Sequence, residues 1–117
     1  MKLLETYILG PDNTPIEVST EEWGNWFGNN FDKRRVALDN IETKYGKFQV
    51  STVFLGLDHR FGSDGPPILF ETMVFPEGKS NDLAMKRYST WKDAEAGHKE
   101  MCIRVRSGEI KEYTEAF

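Results

Sequence analysis

The sequence predicts an α+β domain: an antiparallel β-sheet of about four strands with two helices packed on it, in the order β-α-β-β-β-α. Three observations lead there. Residues 47–75, KFQVSTVFLGLDHRFGSDGPPILFETMVF, read as two apolar strands joined by a charged, Gly-rich loop carrying Pro66-Pro67. Strands apolar at nearly every position have both faces partly covered, so this pair belongs at the centre of a sheet. Residues 91–106 carry the clearest helical periodicity in the chain, and short turn-bounded connections favour antiparallel pairing.

The elements follow in order. Leu3 to Leu9, LLETYIL, is a first strand, closed by the turn residues Gly10-Pro11-Asp12-Asn13. Pro15 to Val18 is a short edge segment. Ser19-x-x-Glu22 matches a capping box and starts a helix. Trp23, Trp26, Phe27 and Phe31 fall on one face of it by three- and four-residue spacing. Gly24 and Gly28 each weaken that helix by about 1 kcal/mol relative to Ala, so it is short and ends near Asn29-Asn30.

Lys33 to Glu42 alternates as a half-exposed strand, and Tyr45-Gly46 turns the chain. Phe48 to Leu57 and Ile68 to Phe75 are the two central strands, and 76–82 is a polar connection. The last helix runs from about Trp91 to Arg106, capped by Thr90-x-x-Asp93 at its start and Gly108 at its end. Trp91, Ala94, His98, Met101, Cys102 and Val105 form its buried stripe. The tail from 108 to 117 is expected to fray.

Composition narrows the function classes. At 117 residues, the chain suits one domain, 1–117, with one modest core. An aromatic content of 13% supports a packed globular domain, since disordered chains lack these residues. A net charge of −4 lacks the basic excess of a nucleic-acid binder and the dense acidity of a DNA mimic. The single cysteine, Cys102, leaves no internal disulfide and no Cys-based zinc site to be expected, and reads as a small core residue. No stretch has the apolar length of a membrane span, and MKLLETYILG does not read as a signal peptide. The expectation is a soluble protein of a reducing cytoplasm, without membrane partner.

The chemistry-bearing residues cluster around the central strands. Asp58-His59-Arg60 offers acid–base chemistry or anion binding; the alternative is a charged loop capping a hairpin. Glu71 interrupts an apolar strand and needs a partner, for which Arg34, Arg35 and Arg87 are candidates. Arg87-Tyr88-Ser89-Thr90 precedes the last helix, where hydroxyls, a cation and free N–H groups suit a phosphate; plain helix capping is the alternative. His98 lies on an apolar stripe, as a core histidine or as a partner for His59 in a hydrolase. Gly56, Gly62 and Gly65 match no phosphate-binding fingerprint. No metal-ligand spacing appears, so neither a metal nor a cofactor is expected.

Three blocks, VSTVFLGLDHRFG at 50–62, GPPILFETMVF at 65–75 and RYSTWKDAEAGH at 87–98, resemble a widespread group of small uncharacterised proteins of tailed bacteriophages and prophages. The resemblance covers roughly the second half of the chain. It implies an accessory phage protein made in the host bacterial cytoplasm, and it transfers no catalytic residue. By that context the expected role is a non-catalytic counter-defence binder. It would sequester a nucleotide-like immune signal, as proteins countering Thoeris and CBASS immunity do, or block a host defence protein. The expected ligand site comprises Asp58, His59, Arg60, Glu71, Arg87, Tyr88, Ser89 and Thr90. A small hydrolase or phosphodiesterase using His59 and His98, and a structural or interaction module of the phage, are the competing readings. A homo-oligomer is expected through the Trp23/Trp26/Phe27 face or the apolar strand pair.

Overall fold

A computed structural model describes residues 5–60, 62, 64–79 and 82–111. Its elements are β1 (Thr6–Leu9), β2 (Pro15–Val18), α1 (Thr20–Asn29), α2 (Phe31–Arg34), β3 (Arg35–Thr43), β4 (Gly46–Phe54), β5 (Phe70–Pro76), β6 (Ala84–Tyr88) and α3 (Trp91–Arg106). The fold is α+β, with a four-stranded antiparallel sheet ordered β3-β4-β5-β6 and a separate β1-β2 hairpin. β4 and β5 occupy the centre, as their apolar sequences require.

The sheet buries one face under α3, which lies across all four strands. Phe48, Val50, Thr52 and Phe54 point to that face from β4, and Phe70, Thr72 and Val74 from β5. Val50 pairs with Val74, Thr52 with Thr72 and Phe54 with Phe70. The threonine row therefore divides the core. On one side lie Ile41, Phe48, Val50, Val74, Met101 and Val105; on the other lie Phe54, Leu69, Phe70, Tyr88 and Ala94. α3 supplies Ala94, His98, Met101, Cys102 and Val105, the stripe its periodicity predicts apart from Trp91. Thr90 caps it by accepting from the Asp93 N–H at 3.0 Å.

Several boundaries differ from the sequence expectation. β1 does not join the main sheet. The fourth strand is β6, at residues 84–88, which carries Lys86 and Arg87 among only three apolar residues and shows no strand-like run. Strand β4 stops at Phe54 instead of Leu57, because Gly56 adopts φ +72° and turns the backbone. There the Gly56 carbonyl accepts from the Tyr7 N–H at 2.7 Å, stitching the hairpin to the sheet. A Cβ at Gly56 would lie 2.7 Å from the Tyr7 carbonyl and overlap the Trp23 indole.

Helix α1 begins at the Ser19 cap, whose hydroxyl accepts from Glu22 N–H at 3.1 Å, and ends before Asn30. Its aromatic face is half-buried. Trp26 meets Phe54 edge-on at 5.9 Å, while Trp23 stacks on Phe27 at 4.9 Å. Phe31 does not share that face; it opens the short α2 and is 60% exposed. Trp91 is half-buried against Phe70. Of the tail expected to fray, Ile110 is buried in the core, and 112–117 lie outside the described residues, as do Leu3 and Leu4 of the first predicted strand.

Candidate functional site

Asp58 is the centre of a clamp that joins the hairpin to the central strands. Its Oδ1 accepts from the N–H groups of Arg60 at 2.9 Å and Ile68 at 3.0 Å, and its Oδ2 accepts from Arg60 Nε at 2.6 Å. Arg60 also donates to the Gly65 carbonyl at 2.7 Å and to Glu5 at 3.1 Å. Glu5 in turn accepts from the Tyr7 hydroxyl at 2.8 Å. Burial pushes the Asp58 carboxyl up, but these hydrogen bonds outweigh it and hold the group below its ordinary value. Burial, with Glu5 adding to it, pushes the Tyr7 phenol up to about 12. His59 Nδ1 lies 2.7 Å from the Leu57 carbonyl; a carbonyl only accepts, so Nδ1 carries the proton.

Glu71 pairs with Arg87 at 2.9 Å, one of its three candidate partners, across directly opposed positions of β5 and β6. The pair stands on the sheet face away from α3, whereas Tyr88 points under the helix. Arg87, Tyr88, Ser89 and Thr90 line a groove of about 520 Å³ that also carries Asp93 and Glu100. The eight predicted site residues thus divide. Asp58 and Arg60 brace the loop with His59 between them, Glu71 and Arg87 form an ion pair, and residues 87–90 border a surface groove of mixed charge.

A second polar constellation lies under α3. The His98 ring is bonded at both nitrogens: Nδ1 is 2.7 Å from Thr52 Oγ1, and Nε2 is 2.6 Å from Asp39 Oδ2. Thr52 Oγ1 is 2.6 Å from Thr72 Oγ1, and Cys102 donates to Asp39 at 3.7 Å. The His98 hydrogen bond holds the Asp39 carboxyl below its ordinary value against the cost of burial. Burial foremost, and Asp39 beside it, push the Cys102 thiol up to about 11. Sequence reasoning found His98 and Cys102 on one stripe but missed Asp39, Thr52 and Thr72. Their meeting depends on strand register, which leaves no local signal.

A further surface recess, of about 630 Å³, lies between the β1–β2 turn, α1–α2 and the start of α3. Trp26 and Trp91 line it together with Leu9 and Lys33. A scan of protein-family models finds no match to this chain, and searches of curated proteins and of solved structures find none either. Among the described residues no helix is long and apolar enough to cross a membrane.

Proposed function

We propose that the chain is a non-catalytic binding protein that takes a small nucleotide-like molecule between Trp26 and Trp91. The observation that carries this reading is the composition of that cleft: two half-buried indoles and a lysine line one recess of about 630 Å³. That volume suits a small-molecule site. Stacking on an aromatic ring contributes about 1–3 kcal/mol per base, and Lys33 supplies a cation for a phosphate. Asp32 on the same wall disfavours a highly charged ligand, so one or two phosphates fit better than a polyphosphate.

The commitments of the titratable groups favour binding over catalysis. Both nitrogens of His98 are occupied inside the core, so His59 and His98 cannot share a water unless that network is broken. Asp58 and Glu71 are held in ion pairs. The resemblance to phage accessory proteins makes capture of a nucleotide immune signal in the bacterial cytoplasm the role that suits such a cleft.

The test is isothermal titration calorimetry of the full chain with mononucleotides and cyclic dinucleotides. A saturable heat of binding that disappears in Trp26→Leu/Trp91→Leu and survives Arg87→Ala supports the cleft. Loss of binding in Arg87→Ala with the indole variant unaffected moves the site to the groove of residues 87–90. Heat denaturation of the complex should release the ligand intact; recovery of a hydrolysed product makes the protein an enzyme.

A further inference from the structure

We propose that Asp39, His98 and Cys102 form a Zn²⁺ site that ties α3 to β3. His98 and Cys102 stand four residues apart, on one face of α3, and Asp39 faces them from β3. Their donor atoms lie within 4.8 Å of one another. Donors around a tetrahedral zinc stand roughly 3.3–3.6 Å apart, given its bond lengths to N, O and S. Asp39 and Cys102, at 3.7 Å, are already near that spacing. Asp39 and His98, at 2.6 Å, need to separate by about 0.7 Å, and His98 and Cys102, up to 4.8 Å apart, to close by about 1.2 Å, shifts that side-chain rotation can supply when a cation replaces the shared proton.

Three further features suit the ion. A metal-bound imidazole needs an acceptor behind its other nitrogen, and Thr52 stands 2.7 Å from His98 Nδ1 with Thr72 behind it. One carboxylate and one thiolate neutralise a dication, which limits the cost of holding charge beneath a helix. The Asp39 side chain is 47% exposed, which leaves a path for the ion and a fourth position for water. Sulfur among the donors selects zinc over magnesium or calcium.

The protons balance. In the neutral ring, Nε2–H donates to Asp39 and Nδ1 accepts from Thr52. Zinc takes Nε2, so the ring proton moves to Nδ1 and is donated to Thr52, whose own proton turns to Thr72. Cys102 gives its thiol proton to solvent. One proton is released per ion, and nothing is oxidised or reduced. The inference is independent of the cleft between the indoles.

Cobalt(II) substitution tests it on the full chain, with Zn²⁺ as competitor. The expected result is one Co²⁺ per chain, a thiolate-to-cobalt charge-transfer band, intense tetrahedral d–d bands, and displacement by Zn²⁺. Cys102→Ser should lose the charge-transfer band, and Asp39→Asn, at a half-exposed position, should weaken binding while circular dichroism stays unchanged. Thr52→Val keeps all three donors and should weaken Zn²⁺ binding about 10–100-fold. Absence of tetrahedral bands at excess Co²⁺, or affinity unchanged in Asp39→Asn, overturns the proposal.

Discussion

Gly97 of α3 lies directly against the ring of Tyr88 on β6: a Cβ at position 97 would overlap the phenol. This contact lets the helix settle onto the edge of the sheet, and it leaves Tyr88 only 8% exposed. Gly97→Ala removes a glycine from a helix interior, which alone would stabilise by about 1 kcal/mol. Overpacking costs about 1–3 kcal/mol, so the variant should be less stable on balance. Urea denaturation is the measurement. Tyr88→Leu in the same chain should remove most of the difference between Gly and Ala at 97, since the two sites share one contact. A Gly97→Ala protein more stable than the parent would show that the contact does not constrain the helix.

The threonine row is the polar seam of the core. Thr52→Val keeps the shape of the side chain but removes a hydroxyl that serves both Thr72 and His98. Two buried groups then lose a partner, and stability should fall by about 1–3 kcal/mol. Adding Thr72→Val should cost less than it does alone, because its hydroxyl has already lost that partner. Equal and additive losses in equilibrium unfolding would mean the hydroxyls act separately.

Acid should loosen the joint between hairpin and sheet. Asp58 is held below its ordinary value when folded, and an unfolded aspartate titrates near about 3.9. The folded form therefore binds this proton less readily than the unfolded one. Its contribution to stability is complete above about pH 4 and is lost as pH falls through the depressed folded value. Asp58→Ala removes the titration and leaves the Arg60 and Ile68 N–H groups without their acceptor. The stability gap between parent and variant should be wide near neutral pH and narrow below about pH 4. A gap that does not change across that range would assign the clamp no electrostatic role.

Cys102 should behave as an inert thiol in the metal-free protein. Its pKa is pushed up to about 11, first by burial and then by Asp39. With a chelator present, a thiol reagent at neutral pH should label it only as fast as the protein opens. Asp39→Asn should speed labelling little, because burial is the larger cause. Rapid labelling of the folded chain would contradict the packing of α3.

The sequence by itself determined the class of fold, the central place of the two apolar strands expected at 48–57 and 68–75, both helix starts and most of the buried stripe of α3. Each of these is a local property. Apolar alternation and 3.6-residue periodicity name a face wherever the chain goes, and Ser19 and Thr90 satisfy N–H groups three residues away. It also marked Asp58-His59-Arg60 as unusual, though not that its charges are spent on joining the hairpin to the sheet. That outcome depends on Glu5 and Gly65, one 55 residues and the other five residues from Arg60.

Only the tertiary structure decided the rest. β6 is a strand because β5 offers it a free edge, not because residues 84–88 carry a strand pattern. Trp26 and Trp91 line one cleft because the hairpin and α1 pack at the start of α3. Asp39, Thr52, Thr72, His98 and Cys102 meet because the register of three strands and the rotation of one helix place them together. A one-residue slip in any strand would turn its side chain to the opposite face, and no single segment of the chain encodes that alignment.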